Sequence, residues 1–263
     1  MTPSSLIRPA LRLLLAVPIA ACSAWPEGEG RAPIATDRPS FSTAPLLVPP
    51  GRVQLETGAT VTHVDDGTDT IGLPEALLRV GVDERFELRA LAPGWSSVSS
   101  PGSDRSGWND LGFAVKGLLV PREGLVPDLG VEAFVSVDTG ESGFGSGRTD
   151  GGVKLLLGQA LDDASYVVAN LVLAGRSVAG ERVTQRAASL YASRALSARA
   201  SVFAEWYGID PIAPGASSRS AQSVAAGCQF LPTPRLALDA RIGAGLDDAA
   251  DDLFVGIGAA FVF

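Results

Sequence analysis

The sequence predicts an all-β protein: an antiparallel transmembrane β-barrel of about 12 strands, with an N-terminal signal segment and a short irregular lead-in. Three observations carry this. A short apolar stretch with a basic flank opens the chain, a period-two alternation of apolar and polar residues recurs to its end, and the last residue is a phenylalanine on such an alternating run.

Composition narrows the alternatives. Of 263 residues, 46% are hydrophobic and 19% charged, with a mean hydropathy of +0.23. That is too apolar for a disordered chain. The net charge of −8 disfavours nucleic acid as a partner, because phosphates demand a basic face. Two cysteines and one histidine are too few for a disulfide scaffold or a usual zinc site, so neither a metal nor a cofactor is expected.

Residues 1–24 read as a signal peptide. Arg8 and Arg12 give the positive flank, and Leu13 to Ala21 form an apolar core too short to span a bilayer. The segment ends in Ile19-Ala20-Ala21-Cys22, which resembles a bacterial lipoprotein box; that resemblance implies cleavage before Cys22 and acylation of Cys22. Ordinary cleavage after Ala24 is the alternative. Residues 25–50, rich in Pro and Gly, read as an irregular periplasmic lead-in, and residues 51–263 as the barrel.

The first strand shows the alternation plainly. Val53, Leu55, Thr57, Ala59 and Val61 share one face; Gln54, Glu56, Gly58, Thr60 and Thr62 share the other. The same rule gives strands near 52–63, 71–82, 85–93, 109–120, 129–138, 151–159, 165–175, 184–193, 200–208, 220–230, 235–244 and 252–263. Short links near 83–84, 162–163, 196–197 and 232–234 alternate with longer Gly/Ser/Asp-rich links at 64–70, 94–108, 139–150, 176–183, 209–219 and 245–251. The link 121–128 is long for the short-turn end.

A soluble β-sandwich also alternates, with its apolar face as core. The polar faces here carry mostly Gly, Ala, Ser and single charges, too sparse for a wetted surface. Trp95, Trp108, Trp206 and Tyr207 flank long links, as an interfacial girdle would. Phe261 and Phe263 end the last strand, which resembles the signal read by the barrel-assembly machinery.

Asp37, Arg38 and Pro39, followed by Gly51, Gln54, Glu56 and Gly58 in the spacing Gly-x-x-Gln-x-Glu-x-Gly, resemble the opening of a family of bacterial outer-membrane transporters, the "meta-pathway of phenol degradation" family. Trp108-Asn109-Asp110-Leu111-Gly112 resembles the start of a central strand there. The resemblance covers 36–263. It implies a barrel exported to the bacterial outer membrane, in contact with its lipid, with a transport-like role and no catalytic residues.

If the apolar positions face lipid, the charged ones face the lumen. These are Glu56, Arg79, Glu87, Arg89, Lys116, Glu132, Lys154, Glu205, Asp239 and Arg241. Confined charges are costly unless paired, so a bracing ion-pair network is expected, or a selectivity constriction, and the two are compatible. Lys116 and Lys154 flank Glu132 on neighbouring strands, so Glu132 is expected to bridge both. Asp37 and Arg38 join the network if the lead-in enters the lumen.

The long links are acidic: Asp65, Asp66, Asp69, Asp104, Asp138, Glu141, Asp150, Glu181, Asp210, Asp247, Asp248, Asp251 and Asp252. A solvated rim is one reading, divalent cations bridging to lipopolysaccharide another. An enzyme is not expected. His63 lies beside Asp65 without a Gly-x-Ser-x-Gly elbow, Cys228 sits on an apolar face, and Gly140–Gly152 lacks a phosphate-loop lysine. The sequence therefore predicts a passive channel for small molecules, hydrophobic or aromatic ones among them. The alternative is a non-conducting structural barrel or lipoprotein displaying acidic loops.

Overall fold

The computed structural model describes residues 34–178, 180–211 and 220–263. The signal segment with Cys22 lies outside them. The described residues hold the strands β1 (Val53–Val64), β2 (Thr68–Gly81), β3 (Phe86–Ala92), β4 (Trp95–Ser100), β5 (Ser103–Trp108), β6 (Leu111–Val120), β7 (Asp128–Val137), β8 (Asp150–Ala160), β9 (Ser165–Val178), β10 (Glu181–Ala195), β11 (Ala200–Asp210), β12 (Ala221–Thr233), β13 (Leu236–Gly245) and β14 (Leu253–Val262). No helix among them is long and apolar enough to cross a membrane.

Every neighbouring pair is antiparallel. β1 pairs with β2 on one side and β14 on the other, which closes a barrel of twelve strands: β1, β2, β3 and β6 to β14. Closure removes both sheet edges, as a wall in lipid requires. At the seam, Phe263 donates its backbone N–H to the Val53 carbonyl at 2.8 Å, and Arg52 reaches the Phe263 carbonyl at 2.9 Å. The Phe261 and Phe263 rings meet edge-on with centroids 4.8 Å apart.

The alternation turns the molecule inside out relative to a soluble protein. On β6, Leu111, Phe113 and Val115 are 42%, 49% and 45% exposed, while Lys116, the next residue along, is fully buried. A sandwich would bury the first set and wet the lysine. Lipid is therefore the solvent of the outer face, and the interior is polar. The short turns and both ends of the barrel chain lie at one rim, which in this architecture is periplasmic; the long links lie at the other.

Two expectations need correction. The link 94–108 is not a loop: β4 and β5 form a hairpin turned at Gly102 (φ 82°), and β4 pairs with Asp69–Leu73 of β2 above the end of β3. Its Trp-Ser-Ser-Val-Ser-Ser run has small polar residues on both faces, so no two-face signal marks it. The link 121–128 is compact, because Glu123 and Val126 exchange backbone hydrogen bonds of 3.1 and 3.0 Å. Tyr207 is no girdle residue: it stacks inside the lumen on Phe41 with centroids 4.4 Å apart. Trp108 and Trp206 do face outward, as does Cys228.

Candidate functional site

The lead-in enters the barrel. Ile34 packs with Leu231, Ala237 and Ala260 near the periplasmic rim, and its N–H donates to the Pro234 carbonyl at 3.2 Å. The chain then crosses the lumen. Phe41 and Ser42 donate their backbone N–H groups to the Glu205 carboxylate at 2.8 and 2.6 Å. Thr43 and Asn170 exchange two hydrogen bonds, 2.7 Å from the Thr43 N–H and 2.9 Å to its carbonyl. Val48 donates to Glu87 at 2.8 Å before the chain joins β1. A segment with no secondary structure must satisfy its backbone somewhere, and here lumenal side chains do so.

The opening motif closes on itself. Gln54, Glu56 and Gly58 alternate on the lumenal face of β1, so they stand in a row along it. Gln54 donates to the Ala35 carbonyl at 2.9 Å. Glu56 accepts from the N–H groups of Asp37 (3.1 Å) and Arg38 (2.8 Å). A side chain at Gly58, or at Gly258 opposite it on β14, would overlap the Arg38 guanidinium. Held in that slot, Arg38 donates to the Ile257 carbonyl at 3.1 Å and pairs with Glu75 at 2.9 Å and Asp239 at 3.6 Å. Arg241 donates to the Pro39 carbonyl at 2.7 Å. Gly51 at φ 71° turns the chain from lead-in to strand, donating to Gly81 at 2.9 Å.

Beside this lies a compact ion cluster. The Asp37 carboxylate contacts Arg89, Lys116 at 3.3 Å and Arg79 at 3.7 Å. Arg79 also pairs with Glu56 at 2.9 Å and Glu87 at 2.8 Å. Glu132 pairs with Arg89 and with Lys154 at 2.8 Å. The carboxylates Asp37, Glu56, Glu87 and Glu132 thus balance Arg79, Arg89, Lys116 and Lys154, and all but Lys154 are nearly or fully buried. Such a set is stable only when every charge has a partner.

The expected bridge of Lys116 and Lys154 by Glu132 is corrected here. Lys116 lies opposite Glu132 in register, yet its ammonium turns to Asp37 and, at 3.7 Å, to Glu87. Arg89 takes its place, because the lead-in brings a carboxylate to the centre that strand order alone does not reveal. Glu205, Asp239 and Arg241 sit apart from this cluster and hold the lead-in instead. Glu75, not anticipated, shares the lumenal parity of Arg79, which was the available signal.

Above the lead-in, toward the long-linked rim, is a cavity of about 790 Å³. Phe41, Glu132 and Lys154 are at its lower end, and Phe134, Val172 and Arg176 are on its walls. A smaller cavity of about 400 Å³ adjoins Arg38, Thr60 and Glu75. At the rim, Asp110 accepts from Thr139 (3.1 Å), Gly140 (2.8 Å) and both the N–H and hydroxyl of Ser146 (2.8 Å each). Burial would raise its pKa, but these donors outweigh burial and hold it below the ordinary carboxylate range. His63 and Asp69 are 2.7 Å apart. No group of His, Cys, Asp or Glu among the described residues is arranged to hold a metal ion.

Solved barrels share this architecture. An outer membrane channel from Pseudomonas putida F1 superposes with a TM-score of 0.65 at 13% identity, over 87% of this chain and 100% of that one. The NanC porin gives 0.54 at 9%, over 80% and 98%, and the KdgM porin 0.51 at 11%, over 80% and 99%. At these identities the likeness is one of fold. No curated protein sequence matches the chain. A family model matches residues 36–263, spanning the lead-in motif and every strand, and the chain belongs to that family, described as "Putative MetA-pathway of phenol degradation".

Proposed function

We propose that this protein is a passive outer-membrane channel for small molecules, narrowed by its own lead-in. The observation that carries this reading is the lumen itself. Its outer half holds a cavity of about 790 Å³ rather than packed side chains, and that cavity ends on a segment held there by hydrogen bonds, ion pairs and the stack of Phe41 on Tyr207. The neutral hydrogen bonds among these contacts, such as those of Thr43 with Asn170, exchange with water or a polar permeant at modest net cost, about 0.5–1.5 kcal/mol each. The structural neighbours named as a channel and porins support the same reading.

Passage down a gradient needs no turnover chemistry, and the reading assigns none. His63, the single histidine, has Asp69 and Asp65 as its ion-pair partners at the rim. Outer-membrane lipid is the partner of the apolar exterior, and the Phe263 end is the segment offered to the assembly machinery.

A second reading, a non-conducting structural barrel, draws on the filled lower lumen. Planar-bilayer recording separates the two. The channel reading expects a small, steady conductance from the full chain and a several-fold larger one after deletion of residues 36–46. Silence from both would leave the structural barrel.

A further inference from the structure

The outer cavity is more than an entrance. Its carboxylates are all engaged: Asp110 by the four donors at the rim, Glu132 by Arg89 and Lys154, and Asp150 by the Ser177 N–H and hydroxyl at 2.8 Å each. Its two cations are engaged unequally. Arg176, half-buried on the wall, has no ion-pair or hydrogen-bond partner among the described residues. Lys154 is 24% exposed, and beyond Glu132 its ammonium contacts only the Thr43 hydroxyl at 3.4 Å and the Phe134 ring at 5.7 Å. Among the charged groups of the cavity, the unspent hydrogen-bonding capacity is therefore that of cationic donors, chiefly Arg176.

Between these cations the wall is apolar. Lys154 lies opposite Val172, and Arg176 is two lumenal positions further along β9, past Ala174. Four residues of strand span about 14 Å. Phe134, Gly152 and Ala174 lie side by side across β7, β8 and β9. Gly152 presents no side chain there, so the Phe134 ring and the Val172 and Ala174 methyl groups form one continuous patch. Ile209 faces the same space.

We propose that this cavity binds a small organic anion with an apolar body, its acid group on Arg176 and then, one step deeper, on Lys154, its body on the Phe134–Val172–Ala174 wall. A planar guanidinium with free donors suits a carboxylate, which it engages through two parallel hydrogen bonds. A cavity of about 790 Å³ is within the range of small-molecule sites. The inference deepens the channel reading by naming a permeant class. Capture of the anion stands without that reading; its onward passage through the lumen rests on it.

The test is equilibrium binding to the full chain in detergent, by titration calorimetry, with 4-phenylbutyrate, its neutral amide and 4-phenylbutylamine as probes. Saturable 1:1 binding of the carboxylate is expected, at least about tenfold tighter than the amide, with the amine weaker still. Arg176→Gln should weaken the carboxylate about tenfold and leave the amide unchanged. Arg186→Gln, which removes an exposed rim cation paired with Asp210, should change neither. Equal affinities for acid and amide, no binding, or an Arg176→Gln variant that binds the acid normally would each overturn the proposal. Conductance is recorded separately, so a silent channel that still binds the acid removes the channel reading and keeps the site.

Discussion

The guanidinium of Arg38 occupies the space that a side chain at Gly58 would fill. Gly258, its partner on β14, completes the slot. The lead-in is thus seated by an absence of atoms on the wall as much as by hydrogen bonds. Gly58→Ala should expel Arg38 from the slot and also press on the Ile257 carbonyl of the paired strand β14. Overpacking of this kind costs about 1–3 kcal/mol. A loosened lead-in and a larger single-channel conductance are the expected outcome. If conductance and heat stability both match the parent, the slot does not hold the lead-in.

Glu132 sits between Arg89 and Lys154 and away from the ammonium of Lys116. Glu132→Gln leaves Lys154 without its carboxylate and Arg89 with only Asp37 and Glu87; breaking a buried pair costs about 3–5 kcal/mol, less where lumen water reaches. The midpoint of the heat-induced gel shift should fall. Adding Lys154→Gln should restore part of the loss, whereas adding Lys116→Gln should deepen it, because Lys116 answers to Asp37 and Glu87. Strict additivity in the Lys154 pair would argue against the assigned pairing. In a salt gradient the reversal potential of Glu132→Gln should move toward anions, since the local field turns positive.

Asp110 gathers the 139–146 segment onto the rim through four hydrogen bonds. Its folded pKa is lowered, so its contribution is fully present above the unfolded value of about 3.9 and is lost as pH falls through the folded value. Protease sensitivity of this loop should therefore be flat from pH 8 to about 5 and rise below about pH 4. Asp110→Asn should raise it at neutral pH and flatten the rise at low pH, because the amide accepts fewer of these bonds and does not titrate. A loop equally resistant in both proteins at neutral pH would remove Asp110 from this role.

Cys22 lies outside the described residues, and acylation there remains an expectation from the sequence. Cys22→Ala should abolish labelling by radioactive palmitate and leave the heat-shifted barrel band in place, because the strands carry the insertion energy and an acyl chain anchors only a terminus. Persistent labelling in this variant would show that Cys22 is not the acylated residue.

The sequence by itself determined the barrel. Period-two alternation is a local property, and in lipid it admits one arrangement, with Phe113 out and Lys116 in. All twelve wall strands were therefore legible to within a few residues. The charged positions facing the lumen followed from the same parity. The β4–β5 hairpin escaped because Trp95–Ser100 has no polar and apolar face to tell apart.

What only the tertiary structure decided is who pairs with whom. The lead-in has no periodicity, so its path is set by contacts far apart in the chain: Asp37 with Lys116, Ser42 with Glu205, Thr43 with Asn170. The motif residues Asp37, Arg38, Gln54, Glu56 and Gly58 were visible as a pattern, but that they clasp one another was not. Parity assigns a charge to the lumen; its partner is whichever opposite charge the closed wall and the inserted segment bring within about 4 Å, and that distance exists only after the barrel has closed.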